Sequence, residues 1–156
     1  MTASVTQSGC YVKRNTMKKT YHLGLLHLAH ILINVDGTID EREMEIIKAI
    51  KEEEKIDDLV FLEFSRGISQ MKQPDIYARG IELLNRCTEE ERTCAFVYLF
   101  QLAEADTSIS MREIKLLMQA LNATNIDFND VAISMNLAAP KNEGNAYMLQ
   151  LARTRQ

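Results

Sequence analysis

Two long apolar runs stand out along the chain, and each is followed by an acidic turn. From about Lys18 to Asn34, the residues Leu25, Leu28, Ala29, Leu32 and then Val35 recur at spacings of three and four, the period of one helical face. Leu23, Leu26, Ile31 and Ile33 make the other faces apolar as well. A helix that is apolar nearly all round belongs in the middle of a fold. Ala95 to Ala105 repeats this character through Phe96, Val97, Tyr98, Leu99, Phe100, Leu102 and Ala103. Shorter amphipathic stretches surround the two. One carries Met44, Ile46, Ile47 and Ile50, which predict a buried stripe; another carries Leu59, Val60, Leu62 and Phe64 and reaches about Met71. Three more carry Ile76, Ile81, Leu83 and Leu84, then Ile114, Leu116, Leu117, Met118 and Leu121, and lastly Val131, Ile133 and Met135.

Polar residues mark the ends of these stretches. Asp36-Gly37 stops the first run, because glycine accepts the left-handed conformation that closes a helix. Asp40 to Glu43, Thr88 to Glu91 and Ser110 to Glu113 each fit a capping box, in which the first side chain and the glutamate three residues on satisfy each other's backbone N–H groups. Asp57 is placed to cap a third helix, Pro74 suits the first turn of a fourth, and Asp127 or Asn129 suits the start of a later one. Residues 140–145 read as a loop, and Ala146 to Arg153 as a last short helix that docks Tyr147, Met148 and Leu151. Residues 1–16 have no apolar period and read as a flexible arm. No stretch alternates as a strand does. The expectation is an all-α fold: a single compact helical domain of seven or eight helices over residues 17–156, with short C-terminal helices within 127–154.

The acidic turn is used twice. Asp36, Ile39 and Glu43 return seventy residues later as Asp106, Ile109 and Glu113, each after an apolar helix and before an amphipathic one. This predicts a pseudo-duplicated helix–acidic turn–helix unit, with copies at about 20–55 and 89–123.

The turn invites comparison with a calcium-binding EF-hand loop, which needs oxygen ligands at six fixed positions and glycine at the sixth place. With Gly37 at that place, Asp36, Asp40 and Glu43 fall on ligand positions, but Leu32 falls on the first. The second copy has Leu102 there and lacks the glycine. An ordinary EF-hand is excluded. A looser site for Ca²⁺ or another divalent cation remains, with Asp36, Asp40 and Glu43 in the first copy and Asp106 and Glu113 in the second. Capping already accounts for Asp40, Glu43, Ser110 and Glu113; it leaves an aspartate ahead of each turn unexplained. His27 and His30, three apart, share a helical face that Asn34 continues, yet no third His or Cys stands beside them. Buried or flanking histidines are the expected reading.

Other classes drop out. The formal net charge of −4 lacks the basic stripe of a nucleic-acid binder. Three cysteines, Cys10, Cys87 and Cys94, with no Cys-x-x-Cys, read as reduced thiols. The first apolar run is too short to span a bilayer; histidines interrupt it, and no cleavage site closes it. The expectation is a cytoplasmic chain with no membrane insertion. No phosphate loop, nucleophile elbow or zinc-protease motif is present, so no enzyme is expected.

The segment Leu26 to Glu43, Leu-x-x-Ala-x-x-x-x-x-x-Asp-Gly-Thr-Ile-Asp-x-x-Glu, resembles the signature of the TerB-like family. So does Ala103 to Glu113, Ala-Glu-Ala-Asp-x-x-Ile-Ser-x-x-Glu. That family includes tellurite-resistance TerB proteins and the N-terminal domain of DjlA-type membrane co-chaperones. The resemblance covers roughly Thr20 to Ser134. It implies an all-helical, pseudo-duplicated module that binds or scaffolds protein partners in stress-response and envelope-linked complexes. It also implies metal binding at the matching acids, Asp36, Asp40, Glu43, Asp106 and Glu113. Thr107 in place of glycine and Ser110 in place of aspartate weaken the second site.

Overall fold

The computed structural model describes residues 3–5, 11–13, 18–34, 41–105 and 110–138. Seven α-helices occupy nearly all of them: α1 Lys18–Ile33, α2 Glu41–Glu53, α3 Asp58–Ile68, α4 Gln73–Asn85, α5 Glu89–Ala105, α6 Met111–Ala123 and α7 Phe128–Ala138. The one other element is a short antiparallel pair, β1 Ala3–Val5 with β2 Tyr11–Lys13, in register Ala3 to Lys13 and Val5 to Tyr11. It lies in the segment whose sequence carries no alternating pattern, because three-residue strands are too short to show one. The expected acidic turns at 35–40 and 106–109 and the expected helix at 146–153 lie outside the described residues.

The two apolar runs form the centre. Leu25, Leu26, Ala29 and Leu32 of α1 and Ala95, Phe96, Leu99 and Phe100 of α5 are all fully buried. The other helices bury one face each. Ile47 and Ile50 of α2, Phe64 of α3, Leu83 and Leu84 of α4, Ile114, Leu117 and Leu121 of α6, and Val131 and Met135 of α7 complete a single core. The expected stripe of α2 needs correcting at Met44, which is 43% exposed. On α3, Leu59 and Leu62 are 74% and 44% exposed, so Phe64 alone is fully buried there.

The closest helix crossing is α1 on α4, and two glycines set it. A Cβ on Gly24 would lie 2.9 Å from Leu84 Cδ2, and one on Gly80 would lie 2.9 Å from Leu28 Cδ2 and 3.1 Å from His27 Cβ. Each helix thus receives the other's leucine over a glycine, which brings the backbones together.

The helix ends follow local rules. Thr88 Oγ1 accepts from Glu91 N at 3.1 Å while Glu91 Oε1 accepts from Thr88 N at 2.8 Å, and Ser110 and Glu113 repeat both bonds at the same distances. The last turns of α2 and α6 match in detail. Lys55 and Asn125 both have positive φ, 53° and 58°. Ile56 N donates to Lys51 O and Ile126 N to Leu121 O, each at 2.9 Å; Lys55 N donates to Glu52 O and Asn125 N to Asn122 O. These are paired Schellman closures, with Ile56 and Ile126 both buried behind them. Asp57 then accepts from Leu59 N and Asp127 from Asn129 N, capping α3 and α7. The spans of α6 and α7 are those of α2 and α3 moved by seventy residues. Helix α4 has no counterpart and joins the two sets.

Candidate functional site

Of the five acidic residues singled out in the sequence, Asp36, Asp40 and Asp106 lie outside the described residues. Glu43 is half-buried in the first turn of α2. Glu113 holds the equivalent position in α6, where its Oε1 is spent on the capping box with Ser110. Among the described residues, no three His, Cys, Asp or Glu side chains come together as a metal-binding group. Glu43 and Glu113 by themselves therefore do not constitute a cation site.

What the fold does bring together is a polar cluster on the inner face of α1. His27, His30 and Asn34 are 5%, 8% and 2% exposed. The His27 Nδ1–H donates to Leu23 O at 2.6 Å. The carbonyl accepts that hydrogen bond, which fixes the proton on Nδ1 and leaves the Nε2 lone pair on the other side of the ring. Asn34 Nδ2 donates to His30 O at 2.8 Å and lies 3.1 Å and 3.3 Å from the two ring nitrogens of His30. Gln73 at the start of α4 donates to Asn34 O at 3.4 Å. Phe64 of α3 closes the cluster, its ring edge-on to His27 at 5.3 Å between centroids and to His30 at 6.2 Å. Burial lowers the pKa of both imidazoles; for His27 the Leu23 hydrogen bond opposes it, Arg79 adds to it and Glu63 opposes it, while His27 lowers that of His30. The spacing of the two histidines is legible in the sequence. No signal there marks Phe64, more than thirty residues away on another helix, as their partner.

Other reactive groups among the described residues are buried. Cys87 and Cys94 are buried thiols, and burial pushes the Cys87 thiol up to about 11, so it is not a thiolate nucleophile at neutral pH. The Tyr98 hydroxyl donates to Glu53. Burial and that bond hold it protonated and tie the end of α2 to α5.

The outer face of the same region is different. Leu59 and Leu62 of α3 project outward one turn apart, bordered by the ion pairs Lys51–Asp58 at 2.6 Å and Lys19–Glu63 at 3.1 Å. Lys51 also lies over the Phe61 ring, 5.8 Å from its centroid. Residues 36 to 63 carry eleven acidic side chains against four basic ones. No helix among the described residues is long and apolar enough to cross a membrane. No protein-family model, no curated protein and no solved structure matches the chain.

Proposed function

We propose that this chain is a cytoplasmic, non-enzymatic TerB-like helical module that binds a protein partner through the outward face of α3. The observation that carries the reading is the exposure of Leu59 and Leu62 on a helix whose inner side is already anchored by Phe64. Partner sites need apolar anchors that lose water on docking. The acidic surplus of residues 36–63 selects a partner segment that is apolar on one side and basic on the other. The TerB-like resemblance supports the module reading and points to stress-response or envelope-linked complexes. The pseudo-duplication belongs to the same proposal. Its support is the constant offset of seventy residues through α2, the Schellman turn, the capping aspartate and α3, which extends the repeat past the acidic turn. Divalent-cation binding at Asp36, Asp40 and Glu43, with Asp106 and Glu113 in the second copy, rests on the sequence alone; it makes a metal-binding or metal-sensing protein the second reading.

A photo-crosslinker placed at position 62 of the full chain in its native cell tests the module. The expected result is one dominant partner, joined through a basic amphipathic segment. Recovery of the chain alone, or crosslinks to an acidic or irregular segment, overturns the proposal.

A further inference from the structure

We infer that the seam between α1 and α3 is an acid-released joint, in which protonation of His27 and His30 frees α3 from α1 while the matching α5–α7 seam stays closed. The inference needs no partner and stands apart from the docking reading. Three geometric facts carry it. Phe64 is the only fully buried side chain of α3, and it makes T-shaped contacts with both imidazoles. His27 already donates one N–H to Leu23 O, and its other nitrogen has no hydrogen-bond partner among the described residues. A proton there would place a cation against the Phe64 ring in a residue that is 5% exposed. Both ring nitrogens of His30 lie beside the Asn34 amide NH₂. A second ring proton would turn the acceptor facing that donor into another donor, and turning Asn34 Oδ1, unpartnered among the described residues, to the ring instead would break the bond to His30 O.

The charged groups facing the pair are few. Glu63 from α3 favours the His27 cation, Arg79 from α4 disfavours it, and each imidazole faces the other; no charged residue of α2, α5 or α6 acts on either ring among the described residues. The Leu23 carbonyl and Glu63 offer His27 compensation; the carbonyl serves only the first N–H, and the Glu63 carboxylate is already paired with Lys19. The lowered pKa of both rings agrees in sign. An unfolded histidine holds its proton up to about pH 6.5, so opening takes up protons as pH falls below that value.

The second half of the molecule supplies the control. At the offset of seventy, His27 and His30 correspond to Val97 and Phe100. Phe100 meets Phe128 of α7 edge-on at 5.4 Å, with no ionisable group in that ring contact.

Imidazole NMR titration with native-state hydrogen exchange on the full chain tests the joint. Both rings are expected to titrate below pH 6.5. Between pH 7 and pH 5.5, protection factors in α3, corrected for intrinsic exchange, should fall about tenfold per imidazole while those in α7 hold. The double variant His27→Val with His30→Phe, which copies the α5 residues, should make α3 as insensitive to pH as α7. Equal loss of protection in α3 and α7, no loss in α3, or titration at or above 6.5 overturns the inference; each of these is read on the unmodified protein.

Discussion

Replacing Gly80 by alanine adds one methyl group inside the close crossing of α1 and α4. That methyl would sit 2.9 Å and 3.0 Å from Leu28 Cδ2 and Cγ, and 3.1 Å from His27 Cβ. The leucine tip can swing only if it has room, and Leu28 is buried. The His27 Cβ is tied to the α1 backbone and cannot swing. Relief must come from moving α4 off α1, and overpacking of this kind costs about 1–3 kcal/mol. Alanine gains about 1 kcal/mol over glycine inside a helix, which offsets part of the loss. The net expectation is destabilisation by about 1 kcal/mol, within a range of about 0–2. Gly67→Ala in α3 supplies the contrast, since nothing lies within 4 Å of its added Cβ. Only the propensity gain acts there, so that variant should be stabilised by about 0.5–1 kcal/mol. Urea unfolding followed by circular dichroism separates the two, because the midpoints should move in opposite directions at unchanged m. If Gly80→Ala gains stability as Gly67→Ala does, the glycine-mediated crossing of α1 and α4 is wrong.

Lys55→Gly should stabilise the protein by about 1 kcal/mol, because lysine at positive φ bears a steric cost that glycine does not. A melting temperature raised by a few degrees checks it. Ser110→Ala should remove about 1 kcal/mol by opening the capping box of α6. Hydrogen exchange should then speed up first at the Glu113 amide, which the serine accepts. Millimolar Ca²⁺, Mg²⁺, Mn²⁺ or Zn²⁺ should raise the melting temperature if the acidic turn holds a cation, by about 1.4 kcal/mol of stability at ten times Kd. Asp36→Asn should abolish that rise, and no rise with any of the four removes the cation from the proposal.

The parts of this fold that sequence makes legible are those governed by neighbours along the chain. The apolar runs of α1 and α5 announce their burial by having no polar face. Thr88 to Glu91 and Ser110 to Glu113 announce their helix starts, because a capping box closes within four residues. Asp57 and Asp127 do the same for α3 and α7. The left-handed turn at Lys55 escapes notice because its conformation is imposed by the burial of Ile56 rather than by a glycine. Met44 reads as core because it falls within a helical apolar pattern, and Leu59 and Leu62 share such a pattern with Phe64; which side of a short helix meets the core depends on helices distant in sequence. The same holds for the candidate site. His27 and His30 are legible as a spacing, whereas their closure by Phe64 and their contrast with Val97 and Phe100 exist only once α3 and α7 have packed. The proposed repeat is suggested in the sequence at Asp36 and Asp106; the equal spans and matching ends that support it further appear only when α2 and α3 are compared with α6 and α7.

The central claim is that α3 meets a partner through Leu59 and Leu62. Once the crosslinked segment is identified, its affinity for the full chain can be titrated against two variants. Leu59→Asp with Leu62→Asp alters only exposed positions and should leave the melting curve unchanged, yet weaken binding at least tenfold for each anchor lost. Ile133→Asp, an equally outward apolar residue on α7, should bind as the parent does. Unchanged affinity in the double variant, or equal loss in Ile133→Asp, contradicts the claim.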